Sequence, residues 1–157
     1  MTDFYFRTMR PSDLELVVEN ENIAYEHPWS KRVFIDCLRS GHECWVLANG
    51  SVIAAHGVLS VAVGESHLLT LCVNPQYQRL GLGRRLLEHL LTQASVNQAS
   101  VCFLEVRLSN KAAISLYKRL GFLQIGERPN YYPSKQGRED ALIFSVLLPS
   151  GEVEPSG

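Results

Sequence analysis

Several features that would assign a class at once are missing from this 157-residue sequence. No apolar run approaches the ~20 residues that a membrane-spanning helix requires. The N-terminal stretch MTDFYFRTMRP lacks the charged start, apolar core and small-residue cleavage site of a signal peptide. The formal net charge is only −1, so charge gives no argument for binding nucleic acid or an acidic membrane surface. We therefore expect a cytoplasmic protein with no direct nucleic-acid or membrane partner.

Cysteine and histidine are present but not in the patterns that bind metals. The five histidines show no H-x-x-x-H or similar spacing, so the sequence predicts no metal site. No C-x-x-C pair occurs either, and we predict that the four cysteines are free thiols, the buried ones acting as small hydrophobic side chains. The sequence also lacks G-x-S-x-G, an evident Cys–His pair and the Gly-Lys-Ser/Thr of a P-loop.

What is present is the composition of one soluble globular domain. Hydrophobic residues make up 46% and charged residues 20% of the chain, which is ordinary for such a domain. No repeat and no Gly/Ser-rich linker divides the sequence. We predict a single domain over residues 1–148 and a polar, disordered tail over residues 149–157.

Hydrophobic periodicity and turn signals predict the order of the secondary structure. Helices are predicted from near Asp13, where Ser12 and Glu15 have capping-box spacing, from Ser30, from about Gly83 and over residues 111–120. Strands are predicted at residues 4–9, 43–48, 51–61, 67–73, 100–106, 122–127 and 140–148. This order predicts an α+β fold with a mixed, mostly antiparallel central sheet and helices on its faces.

A glycine-rich segment joins a predicted strand to a predicted helix, and residues 73–87 read VNPQYQRLGLGRRLL. The N–H groups of a helix's first turn have no internal partners and lie at the positive end of the helix dipole. They bind phosphate where glycine lets it approach, and Arg79 and Arg84 would add charge there. The alternative is a plain turn with solvated arginines, and the local pattern does not decide between the two.

A carboxylate follows an apolar run at the end of the next strand. Glu105 shares a strand face with Phe103 and Arg107, and its ordinary interpretation is pairing with Arg107 or with solvent. Tyr117 follows on the next helix in an i, i+3, i+4, i+7 pattern that favours a core aromatic. Asn110 precedes that helix and is predicted to be its N-cap. By themselves these patterns do not demonstrate acid–base chemistry.

The motifs together resemble a known family. Q-x-x-G-x-G between a strand and a helix resembles the acyl-CoA pyrophosphate motif of the Gcn5-related N-acetyltransferases (GNAT). L-E-V-R-x-S-N, L-Y-x-x-x-G-F, N-Y-Y-P and an earlier H-P-W-S resemble the RimI-type branch, the bacterial ribosomal-protein alanine N-acetyltransferases. The resemblance extends over nearly the whole chain apart from the tail, and the combination is much more specific than any single motif. It implies a GNAT-like fold.

The resemblance implies acetyl-CoA as the acetyl-donor cosubstrate and no metal. It implies Glu105 as the proton acceptor and Tyr117 as the proton donor. It also implies a cofactor site in which strand backbone pairs with the pantetheine arm and the Val73 N–H faces the thioester oxygen. The residues assigned to that site are Leu71, Cys72, Val73, Gln78, Arg79, Leu80, Gly81, Leu82, Gly83, Arg84 and Asn110.

The resemblance further implies an acceptor, the N-terminal alanine of the eighteenth small-subunit ribosomal protein. Candidate acceptor-binding residues are Trp29, Tyr131, Tyr132, Glu139 and Asp140, although the tyrosines also suit packing and the acids suit a solvated turn. We expect a monomer or a weak dimer. The alternatives that stay open are an acetyltransferase of other protein N-termini, lysines or small amines, and a noncatalytic acyl-CoA-binding sensor.

Overall fold

The computed structural model describes residues 3–149, so the predicted tail lies outside the described residues from Ser150 onward. The described chain forms seven strands and four helices, with short 3-10 turns at Pro11–Asp13 and Pro75–Tyr77. The helices are α1 (Leu14–Ala24), α2 (Lys31–Arg39), α3 (Leu82–Val96) and α4 (Lys111–Arg119). The strands are β1 (Tyr5–Thr8), β2 (Glu43–Asn49), β3 (Val52–Ala62), β4 (Glu65–Val73), β5 (Val101–Arg107), β6 (Leu123–Ser134) and β7 (Gly137–Leu147).

All seven strands belong to one sheet, in the order β1-β2-β3-β4-β5-β7-β6. Neighbouring strands are antiparallel except β4 and β5, which are parallel. Helices α1 and α2 pack on one face around Phe34, and α3 and α4 pack on the other around Leu86 and Leu90. The structure therefore confirms the predicted mixed α+β fold with helices on both faces.

Side-chain alternation explains which face of β5 is covered. Cys102, Leu104 and Val106 are buried against α3 and α4, while Phe103 and Glu105 on the other face are partly exposed. That other face is open because α1 and α2 pack chiefly over β2, β3 and β4. Glu105 therefore lies on an uncovered part of the sheet, on the face that the sequence predicted.

The parallel pair, β4 and β5, holds together only over part of its length. Pairing begins at Glu65 and ends at Leu68, which lies opposite Leu104. Beyond that point β4 continues along β3, and β5 continues along β7. The backbone of residues 69–73 that faces β5 is therefore an unpaired sheet edge inside the molecule. This gap between the two strands positions the candidate site.

The first helix begins where the sequence predicted, but through a different cap. The predicted capping box of Ser12 and Glu15 is not formed. The N-cap residue of α1 is Asp13, and its side chain makes no capping hydrogen bond to the first turn of α1. Instead, the Asp13 carboxylate accepts the Arg10 N–H at 2.7 Å and pairs with both terminal nitrogens of Arg7 at 2.7 and 2.8 Å. A two-pronged ion pair thus fixes the start of α1 against β1. None of the described helices is long and apolar enough to cross a membrane.

The last two strands are longer than the sequence predicted. β6 continues past Glu127 to Ser134, and β7 begins at Gly137 rather than at residue 140. The register shifts between Arg128 and Tyr132, so residues 129–131 bulge out of the ladder. In the sequence, Pro129 and Asn130 indicate the end of a strand. In the structure Asn130 is left-handed, with φ of +53°, and both residues fit a bulge, where ladder hydrogen bonds are interrupted. The N-Y-Y-P motif consequently lies in a hairpin strand.

Candidate active site

Four adjoining cavities run through the gap from the start of α3 to the β6–β7 hairpin. The loop cavity, about 380 Å³, lies between residues 78–84 and α4. The β4 cavity, about 460 Å³, lies between Val73 and Asn110. The central cavity, about 160 Å³, lies between Leu71 and Glu105. The hairpin cavity, about 640 Å³, lies beside Tyr131.

Neighbouring cavities share lining residues, so each adjoins the next, and the row of four is called the path below. The loop and β4 cavities share Val73 and Gly83. The β4 and central cavities share Leu71 and Tyr117. The central and hairpin cavities share Glu105. A molecule entering from the loop therefore meets Tyr117 first, and one entering from the hairpin meets Glu105 first.

Two glycines shape the loop end of this path. Gly81 precedes α3 in a left-handed conformation with φ of +75°, which a residue with a side chain adopts only with strain. Gly83 lies in the first turn of α3 and lines both adjoining cavities. A Cβ at Gly83 would lie 3.5 Å from Val73 and 3.6 Å from Leu116. The helix backbone therefore comes close to the cavity, as phosphate binding requires.

Arginine side chains surround the same loop cavity. Arg79 and Arg84 line it as predicted, and Arg119 of α4 adds a third that no sequence motif indicated. Arg84 also pairs with Glu88 at 2.7 Å on the surface. Gln78 and Leu82 line the cavity too, whereas the Leu80 side chain is 61% exposed and does not.

The backbone of β4 points unpaired groups into the gap. Asn74 donates its N–H to the Ala54 carbonyl on the β3 side, at 2.8 Å. The Val73 carbonyl instead accepts from the Gln78 side-chain amide at 3.4 Å. Because successive residues of a strand point their N–H groups to opposite sides, the Val73 N–H faces the gap. This is the orientation that the family resemblance implies for a thioester-binding N–H.

The Leu71 carbonyl and the Cys72 side chain point in different directions from β4. The Leu71 carbonyl faces the gap and accepts a hydrogen bond from the Tyr25 hydroxyl. Burial raises the pKa of Tyr25, so this hydroxyl stays a donor. The Cys72 side chain is buried on the α1 side, where its thiol donates to the Asn20 carbonyl, and burial raises its pKa too. By the same alternation the backbone N–H and carbonyl of Cys72 face β3, where Cys72 lies opposite His56. The cofactor contact predicted for Cys72 therefore stays a prediction that this geometry does not favour.

Glu105 lies where the central and hairpin cavities meet, with 30% of its side chain exposed. Its carboxylate pairs with Arg128 at 3.2 Å and not with Arg107, which pairs with Glu139 at 2.9 Å. Hydrogen bonding to the Glu105 carboxylate, together with its charge, raises the pKa of the Tyr131 hydroxyl. Of the two ordinary interpretations, pairing with Arg107 is therefore wrong, whereas contact with solvent is compatible with the partly exposed side chain. The carboxylate also faces the cavities.

Tyr117 is both a core aromatic and a cavity residue. Its ring packs against Phe122 and Phe144, with centroids 5.6 and 6.5 Å away, and the residue is only 7% exposed. It also lines the central and β4 cavities. Burial raises the pKa of Tyr117 above the ordinary tyrosine value, so its hydroxyl stays protonated at neutral pH. The two interpretations from sequence are compatible.

Asn110 caps α4 as predicted. Its side-chain oxygen accepts the Ala113 N–H at 3.2 Å. The same residue lines the β4 and central cavities, so a cap and a ligand contact are compatible at this position. The cofactor contact itself stays a prediction.

Aromatic residues line the hairpin end and the wall of the central cavity. Tyr131 and Tyr132 form an edge-to-face pair with centroids 4.9 Å apart, and both line the hairpin cavity. Arg107 lies 4.4 Å above the Tyr132 ring, and burial, followed by the charge of nearby groups, raises the pKa of Tyr132 to about 12. Trp29 lines the central cavity and packs on Phe34. These positions suit acceptor-binding walls.

The two acids predicted for acceptor binding lie elsewhere. Glu139 lines the β4 cavity, and its carboxylate binds Arg107 and the Ser109 hydroxyl. The Asp140 carboxylate accepts the Asn130 N–H at 2.9 Å and holds the bulge of β6. Both carboxylates are used within the protein, so their attraction of a basic peptide stays a prediction that these contacts do not favour.

Sequence reasoning missed the contribution of α1. Glu21 in the last turn of α1 and Tyr25, the C-cap residue directly after that helix, both line the central cavity. Nothing in the sequence pattern indicated that this end of the helix meets a cavity. His56 of β3, which contacts Glu21, was missed for the same reason.

Glu21, His56 and Cys72 also place three ligand-type atoms within 4.8 Å of one another. Glu21 Oε2 and His56 Nε2 are 2.6 Å apart, which is a hydrogen-bond distance. Two ligands on a tetrahedral zinc ion, each bonded at ~2.0 Å, lie about 3.3 Å apart. The geometry is therefore that of a hydrogen-bonded pair, and the absence of a metal site stays a prediction.

The model of the acetyltransferase (GNAT) family matches residues 10–122. The chain belongs to the GNAT acetyltransferase family. It is an acetyl-CoA-dependent N-acetyltransferase, and the family resemblance inferred from its motifs is confirmed.

Relatives named for an N-acetyltransferase activity match almost the whole chain. The ribosomal protein bS18-alanine N-acetyltransferase of Escherichia coli strain K12 is 38% identical over 141 residues, 90% of this chain and 95% of that protein. The Haemophilus ducreyi protein of the same name is 33% identical over 142 residues, 90% of this chain and 98% of that protein.

Two solved structures also cover nearly the whole chain. The crystal structure of the ribosomal-protein-S18-alanine N-acetyltransferase from Escherichia coli superposes with a TM-score of 0.88 at 36% identity, covering 98% of this chain and 99% of that one. The structure of yncA from Salmonella typhimurium with acetyl-CoA has a TM-score of 0.80 at 17% identity, covering 99% and 100%. At that identity the second match shows the fold alone.

Proposed function

We propose that this enzyme acetylates the α-amine of a protein N-terminus, with the N-terminal alanine of ribosomal protein bS18 as its acceptor. The observation that carries the proposal is the continuous path through the gap, with Tyr117 on its loop side and Glu105 on its hairpin side. The activity for which a relative at 38% identity is named supports the choice of acceptor. A ribosomal acceptor would place the enzyme in the cytoplasm.

The loop half of the path suits acetyl-CoA. An extended pantetheine arm can pair with the unpaired edge of residues 71–73, and the Val73 N–H would then stabilise the oxyanion formed at the thioester carbonyl. The pyrophosphate would meet the first turn of α3 with Arg79 and Arg84 beside it. Asn110 lies along the same path.

An α-amine loses its proton more easily than a lysine side chain, so a weak base is enough to activate it. Its pKa of ~7.7–8.0 leaves roughly a third neutral near pH 7.5, against about one in a thousand for lysine. Glu105, directly or through a water, takes a proton from the nitrogen. Its position at the entrance from the hairpin cavity puts the carboxylate on the acceptor's side of the path. This geometry favours an amine arriving from the hairpin.

The proton balance requires two protons to leave the ammonium nitrogen. One leaves before attack, the C–N bond then forms at the carbonyl carbon, and the second leaves the nitrogen of the intermediate. The C–S bond breaks with its electron pair on sulfur. One proton ends on the CoA sulfur, and the other reaches solvent through Glu105. No covalent enzyme intermediate is needed.

Because Tyr117 is buried, its hydroxyl holds its proton tightly, and this limits how it can act as the acid. The pKa of Tyr117 is raised, whereas an ordinary thiol has a pKa of ~8.5, so complete proton loss would leave a costly buried phenolate. The hydroxyl therefore donates a hydrogen bond to the departing sulfur. It gives up its proton only as it regains one from the cavity.

The experiment that tests the proposal measures CoA release with acetyl-CoA and a peptide that begins with the N-terminal alanine of bS18. The matched control is the same peptide with its α-amine blocked. Turnover on the free peptide alone supports α-amine transfer, whereas equal turnover on a blocked peptide with a lysine would favour a lysine acetyltransferase. Acetyl-CoA binding without turnover on any amine would favour the noncatalytic sensor.

A further inference from the structure

A buried acid–base pair borders the central cavity and has no part in the mechanism above. Glu21 of α1 is 2% exposed and His56 of β3 is 0% exposed. Glu21 Oε2 and His56 Nε2 lie 2.6 Å apart. Glu21 lines the central cavity together with Glu105, so two carboxylates from different elements border the same space.

The surroundings of His56 define the charge of the pair. Its Nδ1 is buried and has no hydrogen-bond partner in the described part of the chain, and the Phe34 ring lies edge-on at 5.5 Å. A doubly protonated ring would bury a second N–H donor without an acceptor, which is unfavourable. His56 is therefore neutral and donates its Nε2–H to Glu21. The pair then carries one net negative charge.

Positive groups on the described cavity wall do not neutralise this charge. Thr70, which donates to Glu21 Oε1 at 3.3 Å, is neutral. Tyr25 and Cys72 stay protonated because burial and, in smaller part, the charge of Glu21 raise the pKa of each. Arg107 lines the cavity but pairs with Glu139. A buried carboxylate without a cationic partner favours a cation beside it.

One oxygen of Glu21 keeps capacity to bind such a cation. Oε2 accepts the short hydrogen bond from His56, whereas Oε1 accepts only the long one from Thr70. A carboxylate oxygen has two lone pairs, so Oε1 can accept a second donor. An acceptor's α-amine brings three N–H donors and a positive charge when it arrives as ammonium.

We propose that Glu21, held by His56, binds the protonated α-amine of the acceptor as it enters the central cavity. The inference rests on the proposed function and deepens it by separating two tasks. Glu21 on the α1 wall attracts and orients the ammonium group, and Glu105 on the β5 wall removes its proton. The contact is an N–H···O hydrogen bond to an anion, with no covalent change at Glu21.

A purely structural role for the pair makes different predictions. The Glu21–His56 contact also joins α1 to β3, so its loss could simply loosen the fold. A structural role would lower the melting temperature and weaken all ligands alike. A binding role affects only ligands that carry the amine.

Glu21→Gln removes the charge while its amide can keep both hydrogen bonds, one from His56 and one with the Thr70 hydroxyl. The measurement compares, with CoA present, the Kd of the bS18 peptide and of the same peptide with hydrogen in place of its α-amine. We expect the preference for the amine peptide to fall about tenfold in the variant. In turnover, KM for the peptide should rise about tenfold while kcat changes less than about threefold.

The matched control is Glu15→Gln on the same helix, where the side chain is 85% exposed and pairs only with Lys31. We expect it to behave like the unmodified enzyme. An amine preference in Glu21→Gln equal to that of the unmodified enzyme would overturn the inference. The same holds if the variant weakens both peptides equally.

A second measurement needs no variant. Titration calorimetry near pH 8, in buffers of different ionisation enthalpy, counts the protons taken up when each peptide binds the enzyme–CoA complex. If Glu21 binds ammonium, the amine peptide takes up more protons than the amine-free peptide. Equal uptake would contradict the inference. Both complexes contain the same other titratable groups around the cavity, so the difference between the peptides reports what the amine adds and not what the rest of the peptide does. These groups are His27, His56, Tyr25, Tyr117, Tyr132, Arg107 and Glu105.

The proposed function and the proposed role of Glu21 would be contradicted by different results. If the unmodified enzyme neither binds nor acetylates α-amine peptides, the proposed function fails and this inference fails with it. If the enzyme acetylates the peptide but Glu21→Gln keeps the full amine preference, only the role of Glu21 is lost.

Discussion

The two ends of the path through the gap are built in different ways. At the loop end, one continuous segment, residues 71–84, supplies an open strand edge, two glycines and a helix N-terminus. At the hairpin end and in the adjoining central cavity, the groups come from separate elements: Glu105 from β5, Tyr131 and Tyr132 from β6, and Trp29 from the segment before α2. The first end presents mainly backbone, and the second presents mainly side chains.

That difference explains how each end relates to sequence. Recognition by backbone needs a local conformation, which a short motif with glycine at fixed positions can specify. Recognition by side chains needs residues that only the complete fold brings together. Variants at the two ends should therefore separate donor binding, chemistry and acceptor binding.

The largest effect is expected from a change at Glu105, where the central and hairpin cavities meet. This change should slow the chemical step without weakening the binding of acetyl-CoA. Glu105→Gln keeps the shape of the side chain but removes the proton acceptor, so kcat should fall about 10²–10⁴-fold. The affinity for acetyl-CoA, measured by calorimetry, should stay within about twofold. Glu127→Gln, at an exposed position of β6, is the matched control. Turnover of Glu105→Gln close to that of the control would remove Glu105 from the mechanism.

The donor side of the reaction depends on the Tyr117 hydroxyl. Tyr117→Phe keeps the packing on Phe122 and Phe144 but removes a hydrogen bond to a developing negative charge. We expect kcat to fall about 10–100-fold with little change in KM. Tyr5→Phe removes a hydroxyl from an exposed tyrosine outside the four cavities and serves as the control. Full activity of Tyr117→Phe would return this residue to a packing role alone.

The two loop glycines should respond oppositely to alanine. Gly83→Ala places a methyl group in the path without clash, because its nearest neighbours are 3.5 and 3.6 Å away. Alanine also favours a helix by ~1 kcal/mol over glycine, so the melting temperature should not fall. The Kd for acetyl-CoA should rise about tenfold. Unchanged affinity would show that the donor does not approach α3 at this point.

Gly81→Ala is the companion change. The left-handed φ of +75° makes a side chain at this position unfavourable by about 1–2 kcal/mol. We expect a lower melting temperature, with weaker acetyl-CoA binding as a consequence of a loosened loop. A melting temperature at or above that of Gly83→Ala would contradict this assignment.

A smaller effect is expected on acceptor binding alone. Tyr131→Ala removes part of the hairpin wall, so KM for the peptide should rise about 3–10-fold. The Kd for acetyl-CoA should not change. Leu123→Ala, also exposed on β6 but outside the hairpin cavity, is the control. An equal change in acetyl-CoA affinity would show that the two ends are not independent.

The smallest effect on turnover is expected at the start of α1, the helix that carries Glu21. Hydrogen bonding to Arg7 is the main cause that lowers the pKa of Asp13. A lowered folded-state pKa stabilises the fold above the unfolded value of ~3.9, and this stability is lost as the pH falls through the folded value. Asp13→Asn should therefore cost about 1–3 kcal/mol at pH 7 and clearly less near pH 3. Urea unfolding at both pH values checks this, and an equal cost at both would contradict the ion-pair account.

The contrast between the ends also defines what the sequence could predict. The strand–loop–helix order at residues 73–87, both faces of β5, the start of α2 next to Ser30, the Asn110 cap and the α+β order followed from local rules, and the structure has them where expected. The long β6–β7 hairpin did not, because Pro129 and Asn130 signal a strand end and only the pairing with β7 shows a bulge.

The residues that were missed share a physical cause. Glu21 and His56 are separated by 35 residues and become neighbours only when α1 packs across β3. Arg128 of β6 and Glu105 of β5 lie on strands that are separated by β7, and only the assembled sheet brings their side chains together. Periodicity identifies buried faces, but it does not indicate which polar groups meet between elements.

The most direct test of the central claim locates the acetyl group itself. A peptide with the bS18 N-terminal sequence, a free α-amine and an added internal lysine is incubated with the enzyme and acetyl-CoA, and tandem mass spectrometry assigns the modified nitrogen. The account predicts one acetyl group, on the α-amine, formed by the unmodified enzyme and nearly abolished by Glu105→Gln. Acetylation of the lysine side chain with a free α-amine, or no product despite bound acetyl-CoA, would contradict it.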